Sequence, residues 1–147
     1  VAACPWSRAM DDHAAPRLRR LPRPFDAARG AEALSRIGGL DADAQALVAG
    51  AAGSSPFLAD LLGREAAWIA PALDTPEAAL DAALAAAAEA GADRLGASLR
   101  QAKRRVALLV ALMDLAGAWP LERVTGALTR LGDLAVDRAL KVLVAQE

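Results

Sequence analysis

The fold of this chain is decided by residues 93–147, which read DRLGASLRQAKRRVALLVALMDLAGAWPLERVTGALTRLGDLAVDRALKVLVAQE. In the first half, apolar residues recur at steps of three and four, which places them on one side of a helix: Leu95, Leu99, Ala102, Val106, Leu109 and Met113. The second half repeats this spacing: Val124, Leu128, Leu131, Ala135 and Val142. Gly117 and Pro120, between the halves, are typical of a helix end and a helix start. The pattern predicts an antiparallel helical hairpin over about 93–117 and 120–146.

The composition of the whole chain favours the same fold class. Hydrophobic residues make up 55% of the 147 residues, but aromatic residues only 3%, and tyrosine is absent. Alanine, the best helix former, accounts for many of the hydrophobic residues. No alternating run of strand-forming residues occurs. We therefore predict an all-α helical bundle, with a Pro/Arg-rich N-terminal arm over 1–25 and a single helical domain over 26–147.

Charge and cysteine content exclude several classes of function. The formal net charge is -1, from 17 basic and 18 acidic residues, which gives no electrostatic support for binding nucleic acid or an anionic membrane. A single cysteine, Cys4, excludes an internal disulfide, and His13 lacks metal-binding partners around it, so we interpret it as a solvated residue. The longest apolar run, Val106 to Met113, is far shorter than the roughly 20 residues of a membrane-spanning helix. No secretory signal opens the chain, so we expect a cytoplasmic protein.

Helix starts and stops can be placed along the rest of the chain. Residues 1–24 contain four prolines and a basic cluster around Arg19, which we interpret as a solvated arm lying over the body. Asp or Ser caps and cap-then-proline pairs predict helices over the following segments: 27–37 after Asp26, 42–52 after Asp41 and before Gly53, from Ser55-Pro56 to about Pro71 with a bend at Gly63, and from Thr75-Pro76 to Ala90.

Two glycine-containing stretches resemble nucleotide-binding motifs. Gly38-Gly39 followed by Asp41 and Asp43 has the residues of a nucleotidyltransferase site, but the separation is too short for both carboxylates to reach a metal-bound triphosphate. We therefore expect Asp41 to cap a helix. Residues 49–55 lack the Gly-Lys-Ser/Thr of a phosphate-binding loop and are interpreted as a helix end and a turn.

Charged residues inside the C-terminal hairpin are candidates for binding. Lys103, Arg104 and Arg105 form a basic cluster that could hold phosphate or an acidic partner, although such a cluster is more often a solvated helix face. Asp114 lies between apolar neighbours, where a buried carboxylate requires a cation, and Arg123 across the turn is the nearest candidate.

The order of several short motifs resembles the glutamine-synthetase adenylyltransferase family of bacteria, bifunctional enzymes that add AMP to glutamine synthetase and remove it. The resemblance covers roughly residues 45–147 and rests on the following residues: Ser-Pro-Phe-Leu-Ala-Asp-Leu-Leu at 55–62, Leu99-Arg100, Lys103-Arg104-Arg105, Asp114-Leu115-Ala116-Gly117 and Val124-Thr125-Gly126-Ala127-Leu128. In that family such a segment is the helical region that leads into the first nucleotidyltransferase domain.

The resemblance implies a non-catalytic role for this chain. The family's Asp-x-Asp catalytic segment comes after the hairpin, and the sequence ends at Glu147, so no catalytic residue, metal ligand or cofactor-binding residue carries over. Arg104, Arg105, Asp114 and Arg123 are expected to pair helices or dock the next domain of the same polypeptide. Mg²⁺, a nucleotide, glutamine synthetase and a PII-type signal protein are implied only for the whole enzyme. The alternative is a free-standing helical protein-interaction module.

Two further expectations concern the second helix of the hairpin. Its end carries an additional apolar stripe, Val136, Leu140, Leu143 and Val144, which predicts a second neighbour and therefore an exposed face or a dimer contact in this chain. Symmetric folding about the turn predicts the following contacts along the hairpin: Met113 with Val124, Leu109 with Leu128, Val106 with Leu131, Ala102 with Ala135 and Leu95 with Val142.

Overall fold

A computed structural model describes residues 18–145 of the chain. Cys4 and His13, and with them most of the Pro/Arg-rich arm, lie outside the described residues, as do residues 146 and 147. The described part contains no β-strand, which confirms the all-α prediction. Its helices are α1 (Ala27–Ser35), α2 (Ala42–Ser54), α3 (Pro56–Arg64), α4 (Ala66–Asp74), α5 (Pro76–Ala88), α6 (Leu95–Leu115) and α7 (Leu121–Val144).

Three of the predicted helix starts are confirmed by their caps. The carboxylate of Asp26 accepts a hydrogen bond from the backbone N–H of Arg29 at 3.0 Å, and that of Asp41 accepts from Ala44 at 2.8 Å. The hydroxyl of Ser55 accepts from the N–H of Leu58 at 3.3 Å. Each cap satisfies a backbone donor that has no partner within the first turn of a helix.

Several predicted boundaries are wrong because tertiary packing outweighs local sequence signals. Gly53 does not end α2, which continues to Ser54. The single helix predicted from Pro56 to about Pro71 is two helices that meet at Glu65, and Gly63 lies inside the first of them. Pro71 lies inside α4, where the buried residue Leu73 keeps the helix on the core. Thr75 precedes Pro76 as predicted, but it forms no side-chain cap and instead donates to the carbonyl of Pro71 at 3.5 Å. The long sixth helix begins at Leu95, two residues after the predicted Asp93, and has no side-chain cap.

Helix α6 is the centre of the bundle. It packs against α2, α3, α4, α5 and α7, and its residues Leu108, Leu109, Leu112 and Met113 are fully buried. The connection to α7 turns at Gly117, whose φ of 62° lies in the left-handed region that glycine tolerates best. Trp119, two residues after Gly117, is 5% exposed and belongs to the hydrophobic core.

The described end of the arm lies directly on the helices. The backbone N–H groups of Arg19 and Arg20 donate to the carbonyl of Ala116 at 2.8 and 2.9 Å, near the end of α6. A Cβ at Gly50 of α2 would collide with the carbonyl of Pro22, and one at Gly53 with Pro24. The two glycines therefore allow the arm to approach the backbone of α2 closely.

Candidate docking site

A buried carboxylate joins α3, α4 and α6. Glu65 occupies the single position between α3 and α4, and its side chain is 4% exposed. One of its oxygens, Oε1, accepts a hydrogen bond from Nε of Arg104 at 3.0 Å, and the other, Oε2, accepts from Nε of Arg105 at 2.9 Å. Both carboxylate oxygens are thus satisfied by cations, which is what allows the charge to be buried.

The basic cluster of α6 is therefore used mainly inside the molecule. The guanidinium of Arg105 also lies over the ring of Trp68 on α4, 5.1 Å from its centroid, a distance typical of a cation–π contact. Lys103 is exposed. Two of the three basic side chains thus hold helices together.

A second charged cluster joins α5 to the start of α7. An oxygen of Glu77 accepts hydrogen bonds from Nε1 of Trp119 at 3.1 Å and from the guanidinium of Arg123 at 2.7 Å. The same guanidinium lies 5.6 Å from the centroid of the Trp119 ring. Glu77, on α5, is therefore the acidic partner of Arg123.

The predicted burial of Asp114 and its pairing with Arg123 are wrong. Asp114 is exposed and makes no ion pair with another residue of the part described. Leu112, Met113 and Ala116 form the buried side of this part of α6, and at 100° per residue Asp114 lies on the opposite side of the helix. An exposed carboxylate does not require a cation, and Arg123 is free to bind Glu77.

Further contacts show that α7 runs alongside α5 in the same direction. Arg130 binds Asp81 at 2.7 Å, and Arg138 donates to the backbone carbonyl of Ala90 at 2.8 Å. Together with the pair formed by Glu77 and Arg123, these contacts show that partners later in α7 bind residues later in the α5 region. The three arginines of α7 thus bind α5 and the residues directly after it.

Sequence reasoning did not single out Glu65 or Glu77. A signal existed for Glu65, because it continues the three-four spacing of the apolar residues on α3 and α4: Leu58, Leu61, Leu62 and Ile69. A carboxylate on a buried stripe predicts a buried ion pair, but nothing local shows that its cations lie about 40 residues later.

The side of α7 that faces the bundle is rotated from the predicted stripe. Ala127 is 2% exposed, and the partly buried residues that pack on the core from α7 are Val124, Leu131 and Leu134. Leu128, expected to face the fully buried Leu109, is instead 46% exposed. The residue-by-residue register of α6 against α7 stays a prediction.

The additional stripe at the end of α7 is exposed, as predicted. Val136, Leu140, Leu143 and Val144 are each more than half exposed, and Leu121 and Leu128 extend the apolar surface toward the start of the helix. We define the outer face of α7 as the following residues: Leu121, Leu128, Val136, Leu140, Leu143 and Val144. Exposed apolar residues along one helix typically mark an interaction site.

Between residues 18 and 145, no group of three or more His, Cys, Asp or Glu side chains is placed to hold a metal ion. The carboxylate of Asp41 caps α2 and is thereby engaged. Within the same range, no helix is both long enough and apolar enough to cross a membrane.

Comparison with known proteins identifies the family. The model of the glutamate-ammonia ligase adenylyltransferase family matches residues 35–147. The chain belongs to this adenylyltransferase family. The match begins within α1, so the adenylyltransferase pattern covers the helical bundle and not only the C-terminal hairpin.

Curated members of the adenylyltransferase family agree with this assignment. The following relatives are each named bifunctional glutamine synthetase adenylyltransferase/adenylyl-removing enzyme: one from Rhodopseudomonas palustris, 37% identical over 123 residues (80% of this chain, 12% of the relative); one from Caulobacter vibrioides, 40% identical over 99 residues (64% and 10%); and one from Bradyrhizobium diazoefficiens, 41% identical over 110 residues (69% and 11%). The chain thus spans 10–12% of the length of these relatives. No solved structure matches the chain.

Proposed function

We propose that this chain is a non-catalytic helical region of an enzyme that adenylylates glutamine synthetase and removes the adenylyl group. The observation that carries the proposal is the family match across residues 35–147, together with relatives that are named for both activities. The charge network supports a structural role, because Glu65 and Glu77 are engaged by arginines and a tryptophan of neighbouring helices.

The chemistry and its partners belong, in this proposal, to the rest of the enzyme. Mg²⁺, the nucleotide and recognition of glutamine synthetase and of a PII-type signal protein are assigned to other domains, which act in the cytoplasm. The outer face of α7 is proposed to receive a neighbouring segment of the same polypeptide. Its exposed side chains support this role, since a helix that is apolar on two sides requires two neighbours.

The non-catalytic part of the proposal is tested with the purified chain. Incubated with adenylylated glutamine synthetase, phosphate and Mg²⁺, it should release no ADP above a protein-free control, and with unmodified glutamine synthetase and ATP it should incorporate no AMP. The whole Rhodopseudomonas palustris relative serves as the positive control. Turnover by the chain alone would contradict a non-catalytic role.

The family-specific part is tested by exchange. Replacing the matching segment of the Rhodopseudomonas palustris relative with residues 35–147 of this chain should preserve both activities of that enzyme. A helical segment of equal length and unrelated sequence, inserted at the same place, should abolish them. Equal activity of the two exchanged proteins would show that this region contributes nothing specific.

A further inference from the structure

The outer face of α7 has the dimensions of a binding site for a helix. It extends over the 24 residues of α7, about 36 Å at 1.5 Å per residue. Its apolar side chains follow helical spacing along one side, so that a second helix could contact them along its whole length. A partner of this shape buries its own apolar stripe at the same time.

The charged side chains of α7 that form no ion pair or hydrogen bond within residues 18–145 are acidic. All of the basic side chains of α7 are bound within the described chain: Arg123 to Glu77, Arg130 to Asp81, Arg138 to the carbonyl of Ala90 and Lys141 to Asp137. In contrast, Glu122 and Asp133 are exposed and form no ion pair with another residue of 18–145. They are eleven positions apart, which at 100° per residue leaves them only about 20° apart around the helix. They lie to one side of Leu121 and Leu128 in the first half of α7 and in line with Leu140 and Val144 of its second half.

A glycine forms a notch in the middle of the outer face. Gly132 lies one turn from Leu128 and one turn from Val136, and a Cβ built on it would meet nothing within 4 Å. Glycine inside a helix costs about 1 kcal/mol relative to alanine, and no contact within the described chain accounts for it here. A gap between two exposed apolar side chains can receive a side chain of a partner helix.

We propose that the outer face of α7 docks an amphipathic helix whose apolar stripe is flanked by lysine or arginine. Its apolar side chains enter the notch at Gly132, and its cations lie opposite Glu122 and Asp133. A second copy of α7 fits less well, because a two-fold antiparallel pair brings identical edges together and would place these carboxylates near their counterparts. The inference deepens the proposed function and rests on it, since it gives the chemistry of the segment that α7 receives.

The test uses the purified chain and two synthetic probes. One is a fluorescein-labelled amphipathic helix built only from leucine and lysine, and the other has glutamate in place of each lysine. Fluorescence anisotropy should show binding of the lysine probe that weakens as salt is raised, and much weaker binding of the glutamate probe. Equal binding of the two probes would overturn the charge assignment.

Two glycines of the same helix provide matched variants. Gly126 also has nothing within 4 Å of a built Cβ, but it lies about 120° around the helix from Gly132, among polar residues. Gly132→Leu should weaken binding of the lysine probe at least about tenfold, as expected for a blocked interface centre, whereas Gly126→Leu should leave it unchanged. Circular dichroism establishes that both variants are folded.

The remaining outcomes also decide the proposal. The double variant Glu122→Gln/Asp133→Asn should remove most of the salt dependence of binding. Equal effects of the two glycine variants would refute the notch, and sedimentation of the wild-type chain as a dimer that Gly132→Leu dissociates would assign the face to a second copy. These measurements involve no glutamine synthetase, so their failure is distinct from failure of the activity and exchange experiments.

Discussion

Glu65 accepts a hydrogen bond from Arg104 through one carboxylate oxygen and from Arg105 through the other, at 3.0 and 2.9 Å. Because Glu65 lies between α3 and α4, these bonds fix the angle between two short helices against the central helix α6. The junction between α3 and α4, where the helix is interrupted, is thereby held by ionic contacts.

Removing this charge should destabilise the fold. Glu65→Gln keeps the shape but leaves one arginine without an acceptor, because the amide NH2 that replaces a carboxylate oxygen can only donate, and it gives the other arginine a neutral acceptor. We expect the free energy of unfolding to fall by about 1–3 kcal/mol. The two arginines remain partly hydrated, which limits the loss. Urea denaturation measures this loss. The control is Glu89→Gln, at an exposed carboxylate directly after α5, with an expected change within about 0.5 kcal/mol.

The N-terminal arm should detach from α2 when Gly50 is given a side chain. In Gly50→Ala the new methyl group collides with the carbonyl of Pro22, so the arm must move even though alanine favours the helix itself. We expect faster trypsin cleavage after Arg20 and a free energy of unfolding lowered by about 1–3 kcal/mol.

The control for this change is Gly126→Ala, where the added methyl group meets nothing within 4 Å. It should raise the free energy of unfolding by about 0.5–1 kcal/mol and leave cleavage after Arg20 unaltered. Equal cleavage of the two variants would show that Pro22 does not rest on α2.

The two acidic residues of α5 should contribute different amounts to the free energy of unfolding. Glu77→Ala leaves the buried Nε1 of Trp119 without its acceptor, so we expect a loss of about 1–2 kcal/mol in the free energy of unfolding. Asp81→Ala removes only an exposed ion pair with Arg130 and should cost less than about 0.5 kcal/mol. Thermal unfolding of both variants checks this order, and a larger loss from Asp81→Ala would be inconsistent with the structure.

The register of α6 against α7 can be measured directly. Val106 is buried and Leu131 packs on the same core, so we retain the prediction that these side chains are in contact. A double-mutant cycle with Val106→Ala and Leu131→Ala should give a coupling energy of about 0.5–1 kcal/mol. The matched cycle with Val106→Ala and Leu128→Ala should give none, because Leu128 points outward; coupling only in the second cycle would require a different register.

The sequence by itself determined the all-α class and the starts of four helices, α1, α2, α3 and α5. Helix starts depend on residues within one turn of the backbone they affect, here Asp26, Asp41, Ser55 and Pro76. Such short-range effects can be predicted from a short stretch of sequence. The three-four spacing likewise identified the exposed stripe from Val136 to Val144, because periodicity is a property of a single helix.

Only the tertiary structure decided which groups meet. Arg123 binds Glu77 instead of Asp114. Gly53 lies against Pro24 of the arm instead of ending a helix. The side of α7 turned to the core includes Ala127 and not Leu128, because α5 and α6 together set its rotation. These contacts depend on how helices about 30–50 residues apart in the chain are placed relative to one another. The spacing of residues within one helix carries no information about that placement.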